Sequence, residues 1–177
     1  ASAPTLKAAQ SLGIPTLIQE QNSYAGVTNK FLARRADKIC VAYPDMERFF
    51  PKDKIVLTGN PIRPAIEQLS ASRAEALEYF RLPADTERVV LVVGGSLGAR
   101  SINESIGSRL KDWADSGVAL IWQTGVGFEE KAKELLAGYH FPVYSSAFIQ
   151  RMDLAYTLAD VVVSRAGASA ISELCHL

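Results

Sequence analysis

The chain has 177 residues, 48% apolar and 21% charged, which suits one ordinary soluble domain or two small α/β halves. Its 19 basic and 19 acidic residues cancel, which argues against a strongly basic nucleic-acid-binding surface. No run approaches the roughly 18 apolar residues of a spanning helix, no signal-peptide pattern opens the chain, and Cys40, Cys175, His140 and His176 share no metal-ligand spacing.

In chain order, helix-like and strand-like segments alternate. "PTLKAAQSLG" precedes a strand at 16–20, "GVTNKFLARRA" a strand at 38–43, and "PDMERFF" a strand at 54–59. "SRAEALEYF" leads to the apolar run 88–95, "SINESIGSRLKDWAD" to 118–124, "FEEKAKELLAGY" to 142–148 and "QRMDLAYTLA" to 160–164. This alternation predicts parallel sheets with helices on both faces, and "VVLVV" at 89–93 is apolar throughout, as a doubly covered strand requires. Pro61 and Pro64 bracket Ile62 and Arg63 and cannot donate to a ladder. They place a hinge over 61–66, between a first half at 1–60 and a second at 67–177. The cysteines read as free thiols in a reducing compartment, used as small buried apolar residues. Both ends read as cut: "ASAPTLKAAQ" starts in mid-pattern and "ISELCHL" stops inside a helical one.

Three junctions carry candidate chemistry. Gly94 and Gly95 follow the buried strand and a helix opens from Ala99. Such a turn brings backbone close to a ligand, and a helix N-terminus suits phosphate. The dinucleotide fingerprint fails because Val93 stands at its first glycine and Gln123 and Thr124 replace the acidic residue. A P-loop fails for want of Gly-Lys-Ser/Thr. A tight turn without ligand remains the alternative. The second junction is "SRAGASAISE", where Ser169 and Glu173 share a helix face; amides there suit a diphosphate and the carboxylate suits sugar hydroxyls, against a capped helix with Glu173 in solvent. The third, "QEQNSYAGVTNK", puts polar residues directly after a strand, with an ordinary loop as the alternative.

Together these stretches resemble the MurG family, glycosyltransferase family 28. Its members carry H-E-Q-N-x-x-x-G, G-N-P-[VI]-R, G-G-S-x-G-A-R, a Phe-Ile pair and R-[SA]-G-A-x-[TA]-x-x-E in that order. The chain reads "QEQNSYAG" at 19–26, "GNPIR" at 59–63, "GGSLGAR" at 94–100, "FI" at 148–149 and "RAGASAISE" at 165–173. The resemblance covers essentially the whole chain and makes it a central fragment of a family about twice as long. It implies a GT-B fold of two Rossmann-like parallel-sheet halves, both incomplete here, the first for the lipid acceptor and the second for UDP-N-acetylglucosamine.

It also implies inverting transfer of N-acetylglucosamine to the C4 hydroxyl of lipid I, giving lipid II for peptidoglycan. The setting implied is peripheral, on the cytoplasmic side of the bacterial inner membrane. By resemblance Asn22 faces the donor sugar, Arg63 approaches the nucleotide sugar, and Ser96 touches the nucleotide. Ile149 offers backbone to the uracil edge. Ala168, Ser169 and Ala170 present amides to the diphosphate, with Ile171 and Ser172 in the same substrate-binding stretch, and Glu173 holds the ribose hydroxyls. The family's histidine is Gln19 here, and position 170 is Ala where many members have Thr.

No cofactor or metal is implied, and no Asp-x-Asp pair occurs. The catalytic base is open: Glu20 is a candidate, while the family's favoured residue lies upstream, so the fragment alone is expected to be inactive. Missing upstream strands would leave a bare sheet edge, predicting either disorder over the first sixty residues or contact with another chain. The other readings are a UDP-sugar epimerase of the same architecture, a nucleotide-binding module without catalysis, and, disfavoured by the failed fingerprint, a dehydrogenase.

Overall fold

The computed structural model describes residues 2–177. The elements in order are α1 (Ser2–Ser11), β1 (Leu17–Glu20), α2 (Val27–Ala33), β2 (Lys38–Val41), β3 (Ile55–Leu57), α3 (Pro64–Glu67) and α4 (Arg73–Tyr79). Then come β4 (Val89–Val93), α5 (Arg100–Gly107), α6 (Leu110–Ser116), β5 (Ala119–Gln123), α7 (Glu129–Leu136), β6 (Val143–Ser146), α8 (Met152–Leu158), β7 (Val161–Ser164) and α9 (Ala168–Leu174). Contacts gather them into two compact units. One comprises the segment ending at Ile62 together with Gly167–His176; the other is Arg63–Ala166 with Leu177.

In the first unit β1, β2 and β3 form a parallel sheet in that order, with β1 at an edge. Its core joins Ile18, Leu32, Ile39, Val41, Met46 and Phe50. The segment thus packs a core of its own between its sheet and helices. The expectation of helices on both faces does not hold here: β1 and β2 alternate in burial, and Leu17 of β1 and Leu57 of β3 are exposed. "PDMERFF" forms only a 3-10 turn, Met46–Arg48, because Pro44 and Pro51 bound it and Asp45 has a left-handed backbone, φ 61°. The cysteines also differ from expectation, Cys40 being half-buried and Cys175 exposed.

The second unit holds a parallel sheet ordered β6-β5-β4-β7. β5 is buried at every position. Helices α5, α6 and α7 supply Ile106, Leu110 and Ala132 against Val92, Leu120 and Trp122, while α8 packs on β4 and against α4. The long helix expected over 101–115 breaks at Ser108 and Arg109 into α5 and α6, where Gly107 lies so close to Leu135 that a Cβ would meet its Cδ1 at 2.9 Å. Within 61–66, Pro64 opens the short α3, its missing N–H being no loss at a first helical position.

One local device occurs in both units. Asp37, just before β2, accepts the Thr16 N–H at 2.7 Å and returns its own N–H to the Thr16 carbonyl at 2.9 Å. Asp160, just before β7, does the same with Val89 at 2.7 and 2.9 Å. Each carboxylate ties the amino ends of two neighbouring parallel strands.

At the opposite edge of the second sheet, backbone meets backbone. Gly98 (φ +77°) lies against the Thr124 carbonyl and Gly125 (φ +76°) against the Leu97 carbonyl, each too close for a Cβ. Left-handed φ and contact together demand glycine. Both tryptophans, Trp113 and Trp122, belong to this unit, so indole emission reports on it alone. Gly98→Ala is expected to destabilise the unit by about 2–4 kcal/mol. Gly127→Ala, with nothing within 4 Å of its Cβ position, should stay within about 0.5 kcal/mol. Fluorescence-detected urea unfolding compares the two; equal midpoints would contradict the contact argument.

Candidate functional site

In an open parallel sheet the carboxyl ends of the strands accept ligands, above all where the strand order reverses. That reversal is at β4. The chain leaves β4 towards β5 and β6 on one side and returns to β7 on the other. Val93 of β4 and Ser164 of β7 are register partners, so the glycine turn after β4 and the "RA" preceding Gly167 leave adjacent strand ends.

The turn after β4 is closed by the Gly98 N–H donating to the Gly95 carbonyl at 3.0 Å. Ser96 and Leu97 stand at its two central positions, both exposed, and Gly95 has φ +92°. Ala99 precedes α5 with no side-chain cap, which leaves amides at that helix start for a ligand or water. A buried polar set holds the turn in place. Asn103 of α5 donates to the Thr124 carbonyl and accepts the Trp122 Nε1–H at 3.0 Å. Gln123, at the end of β5, donates Nε2–H to the Gly95 carbonyl at 2.9 Å and accepts the Ile149 N–H at 2.9 Å. Ile149 is itself buried, beside an exposed Phe148. Of the Ile149 backbone expected to meet a base edge, the N–H therefore already has a partner.

Of the other expected residues, Arg63 is exposed at the start of α3, its carbonyl accepting the Ile66 N–H. In α9, Gly167 precedes Ala168 without a side-chain cap. Ala168 and Ala170 are half-buried, Ser169 and Ile171 exposed, and Glu173 is 8% exposed. Ser172 Oγ accepts from Asn60 Nδ2 at 3.0 Å, and the same amide donates to the Gln21 carbonyl at 3.1 Å.

The polar stretch after β1 is organised by Glu20, 3% exposed. One carboxylate oxygen accepts the N–H of Asn22 at 3.1 Å and its Nδ2 at 3.2 Å; the other accepts the Gly26 N–H and Asn29 Nδ2, both at 2.9 Å. Gln19, where the family has histidine, donates to the Gly59 carbonyl at 3.1 Å. An open cleft of about 410 Å³ runs along these residues, lined by Gln19, Glu20, Asn22, Gly26, Thr28 and Asn29, with Asn22 exposed on it.

Gln123, Asn103 and Asn29 stand out only once the chain is folded. The available signal in the sequence was a polar residue inside or ending an otherwise apolar, covered element, since a polar group buried there needs partners.

Burial pushes the Glu20 carboxyl up, but the bonds from Gly26, Asn29 and Asn22 outweigh it and hold it below the ordinary glutamate value. A lowered folded-state value means the loop gains stability above the ordinary range and loses it as pH falls through the lowered value. The Gly26 and Asn22 amide resonances should therefore titrate together with a midpoint below the ordinary ~4.3, and Glu20→Gln should abolish the transition. A midpoint at or above the ordinary value would contradict the network.

A profile of the glycosyltransferase family 28 C-terminal domain matches residues 89–177, and one of its N-terminal domain matches residues 1–41. A Porphyromonas gingivalis protein named UDP-N-acetylglucosamine–N-acetylmuramyl-(pentapeptide) pyrophosphoryl-undecaprenol N-acetylglucosamine transferase is 61% identical over all of this chain and 47% of its own length. A Parabacteroides distasonis protein of the same name is 57% identical over all of this chain and 48% of its own. The chain thus spans about half the length of the curated relatives it matches. The crystal structure of Acinetobacter baumannii MurG matches with a TM-score of 0.60 at 32% identity, over 99% of this chain and 47% of that one. A Neisseria meningitidis UDP-GlcNAc 2-epimerase matches at 0.66 and 15% identity, over 92% and 51%, and shares the fold alone. The family profiles, the full-chain identities and the parallel α/β architecture agree: the chain belongs to glycosyltransferase family 28.

Proposed function

We propose that this chain is part of an inverting transferase that moves N-acetylglucosamine from UDP-N-acetylglucosamine to the C4 hydroxyl of lipid I, giving lipid II. The observation that carries the reading is the glycine turn 94–98 placed where the strand order reverses, in a chain 61% identical throughout to a transferase of that name.

Displacement at the anomeric carbon expels UDP, so negative charge gathers on the diphosphate in the transition state. Amides at Ala168, Ser169 and Ala170 and the fixed fork of Arg63 are suited to that charge, with Ile171 and Ser172 in the same stretch. Ser96 lies at the tip of the turn to meet the nucleotide, and Glu173 takes the ribose hydroxyls. Because the Ile149 N–H is held by Gln123, the base meets the Ile149 carbonyl or takes over the N–H. Asn22 contacts the donor sugar. Glu20 positions Asn22 rather than moving protons: both its oxygens already accept hydrogen bonds and its lowered pKa weakens it as a base. Residues 1–60 belong to the acceptor half and 67–177 to the donor half, joined by the hinge 61–66. Among the described residues no helix is long and apolar enough to cross a membrane; association with the cytoplasmic face of the inner membrane is peripheral.

Calorimetric titration tests the donor reading. UDP-N-acetylglucosamine should bind, and Arg63→Ala should weaken it about tenfold or more, the scale of a hydrogen bond to a charged group. In the complete enzyme carrying this segment, UDP should be released only when lipid acceptor is present. Epimerised nucleotide sugar formed without acceptor would overturn transfer.

A further inference from the structure

β5 is buried along its length, yet its last residue is a polar side chain only 2% exposed, Gln123. Register places it between Val93 of β4 and Ser146 of β6. Its two bonds fix the orientation of the amide. The Gly95 carbonyl can only accept, so it faces Nε2; the Ile149 N–H can only donate, so it faces Oε1. The Gly95 carbonyl is also the acceptor that closes the 95–98 turn. On the other side Phe148, next to Ile149, returns its N–H to Ser146 Oγ at 3.3 Å. One amide thus links a turn that follows β4 to a segment that follows β6, two strands that do not touch each other.

We propose that Gln123 is a positioning residue that sets the separation between the glycine turn and the Ile149 backbone, so that one nucleotide engages both, its phosphate side at the first through Ser96 and its base at the second. The inference rests on the donor-site reading above. Two weak contacts on one ligand reinforce each other only when their spacing is fixed before the ligand arrives. No other side chain of this size serves. Glutamate keeps an acceptor for Ile149 but turns a charged oxygen towards the Gly95 carbonyl; methionine fills the volume with neither donor nor strong acceptor; asparagine is one methylene too short to span both.

The test uses the 177-residue chain, with amide hydrogen exchange in the absence of ligand and calorimetric titration with UDP and with uridine. In the wild type the Gly98 and Ile149 amides should exchange slowly. In Gln123→Glu the Ile149 amide should stay slow and the Gly98 amide become fast, with UDP affinity falling about tenfold and uridine affinity within about twofold. In Gln123→Met both amides should become fast and both ligands weaken. Should Gln123→Glu not fold, as judged by tryptophan emission, the uncharged Gln123→Met carries the test alone. UDP affinity within about twofold of wild type in a variant whose two segments have loosened overturns the positioning role. So does unchanged exchange in both variants. A wild-type chain that protects both amides yet binds no UDP overturns instead the nucleotide reading, and with it the ligand assigned here.

Discussion

Two backbones touch at the carboxyl edge of the second sheet, and much of the second unit follows from that contact. Leu97–Gly98 lies against Thr124–Gly125 with no room for a Cβ on either glycine. Because the turn after β4 is pressed onto the end of β5, the Thr124 carbonyl comes within reach of Asn103, and the Gly95 carbonyl within reach of Gln123. Asn103 in turn gives the Trp122 indole its acceptor, which lets a large ring sit fully buried without an orphaned N–H. Packing, polar satisfaction and the exposure of Ser96 are therefore one arrangement. A wider turn would break all three.

The first unit reaches a similar end by different chemistry. No glycine contact of that kind holds the loop after β1; a buried carboxylate does. Glu20 gathers donors from Asn22, Gly26 and Asn29, and Asn29 also caps the Gln19 carbonyl at 2.9 Å. A charged acceptor in a sheltered place forms stronger bonds than a neutral one, so a short exposed loop acquires a defined shape. Gln19 continues the network to Gly59, and Asn60 carries it to Gln21 and Ser172.

Strand periodicity made the sheets readable, because "VVLVV" and "VALIWQT" have no other stable home than between helices. The glycine spacing at 94–98 was readable as a tight strand-to-helix turn; the close approach it makes here is to the Thr124–Gly125 backbone. What sequence could not convey was partnership. Gln123 appeared only as the residue that failed to be acidic, since nothing in a linear string shows that Gly95 and Ile149 converge on it. Glu20 stood in the sequence as a candidate base; its carboxylate is visible there but its donors are not. The exposed side of the first sheet was equally hidden, because alternation in four-residue strands such as "LIQE" is too short to distinguish one covered face from two.

Asp37 and Asp160 each pin a pair of parallel strands at their amino ends, remote from the loops that follow the carboxyl ends. A sheet anchored in this way cannot slide when the opposite loops are lengthened, shortened or replaced, since a one-residue slip would break the carboxylate's bond as well as invert every side chain. Alignment is decided at the amino rim, and the loops of the carboxyl rim are free of that duty. Such a division lets selection rewrite what a protein recognises while leaving its scaffold in register.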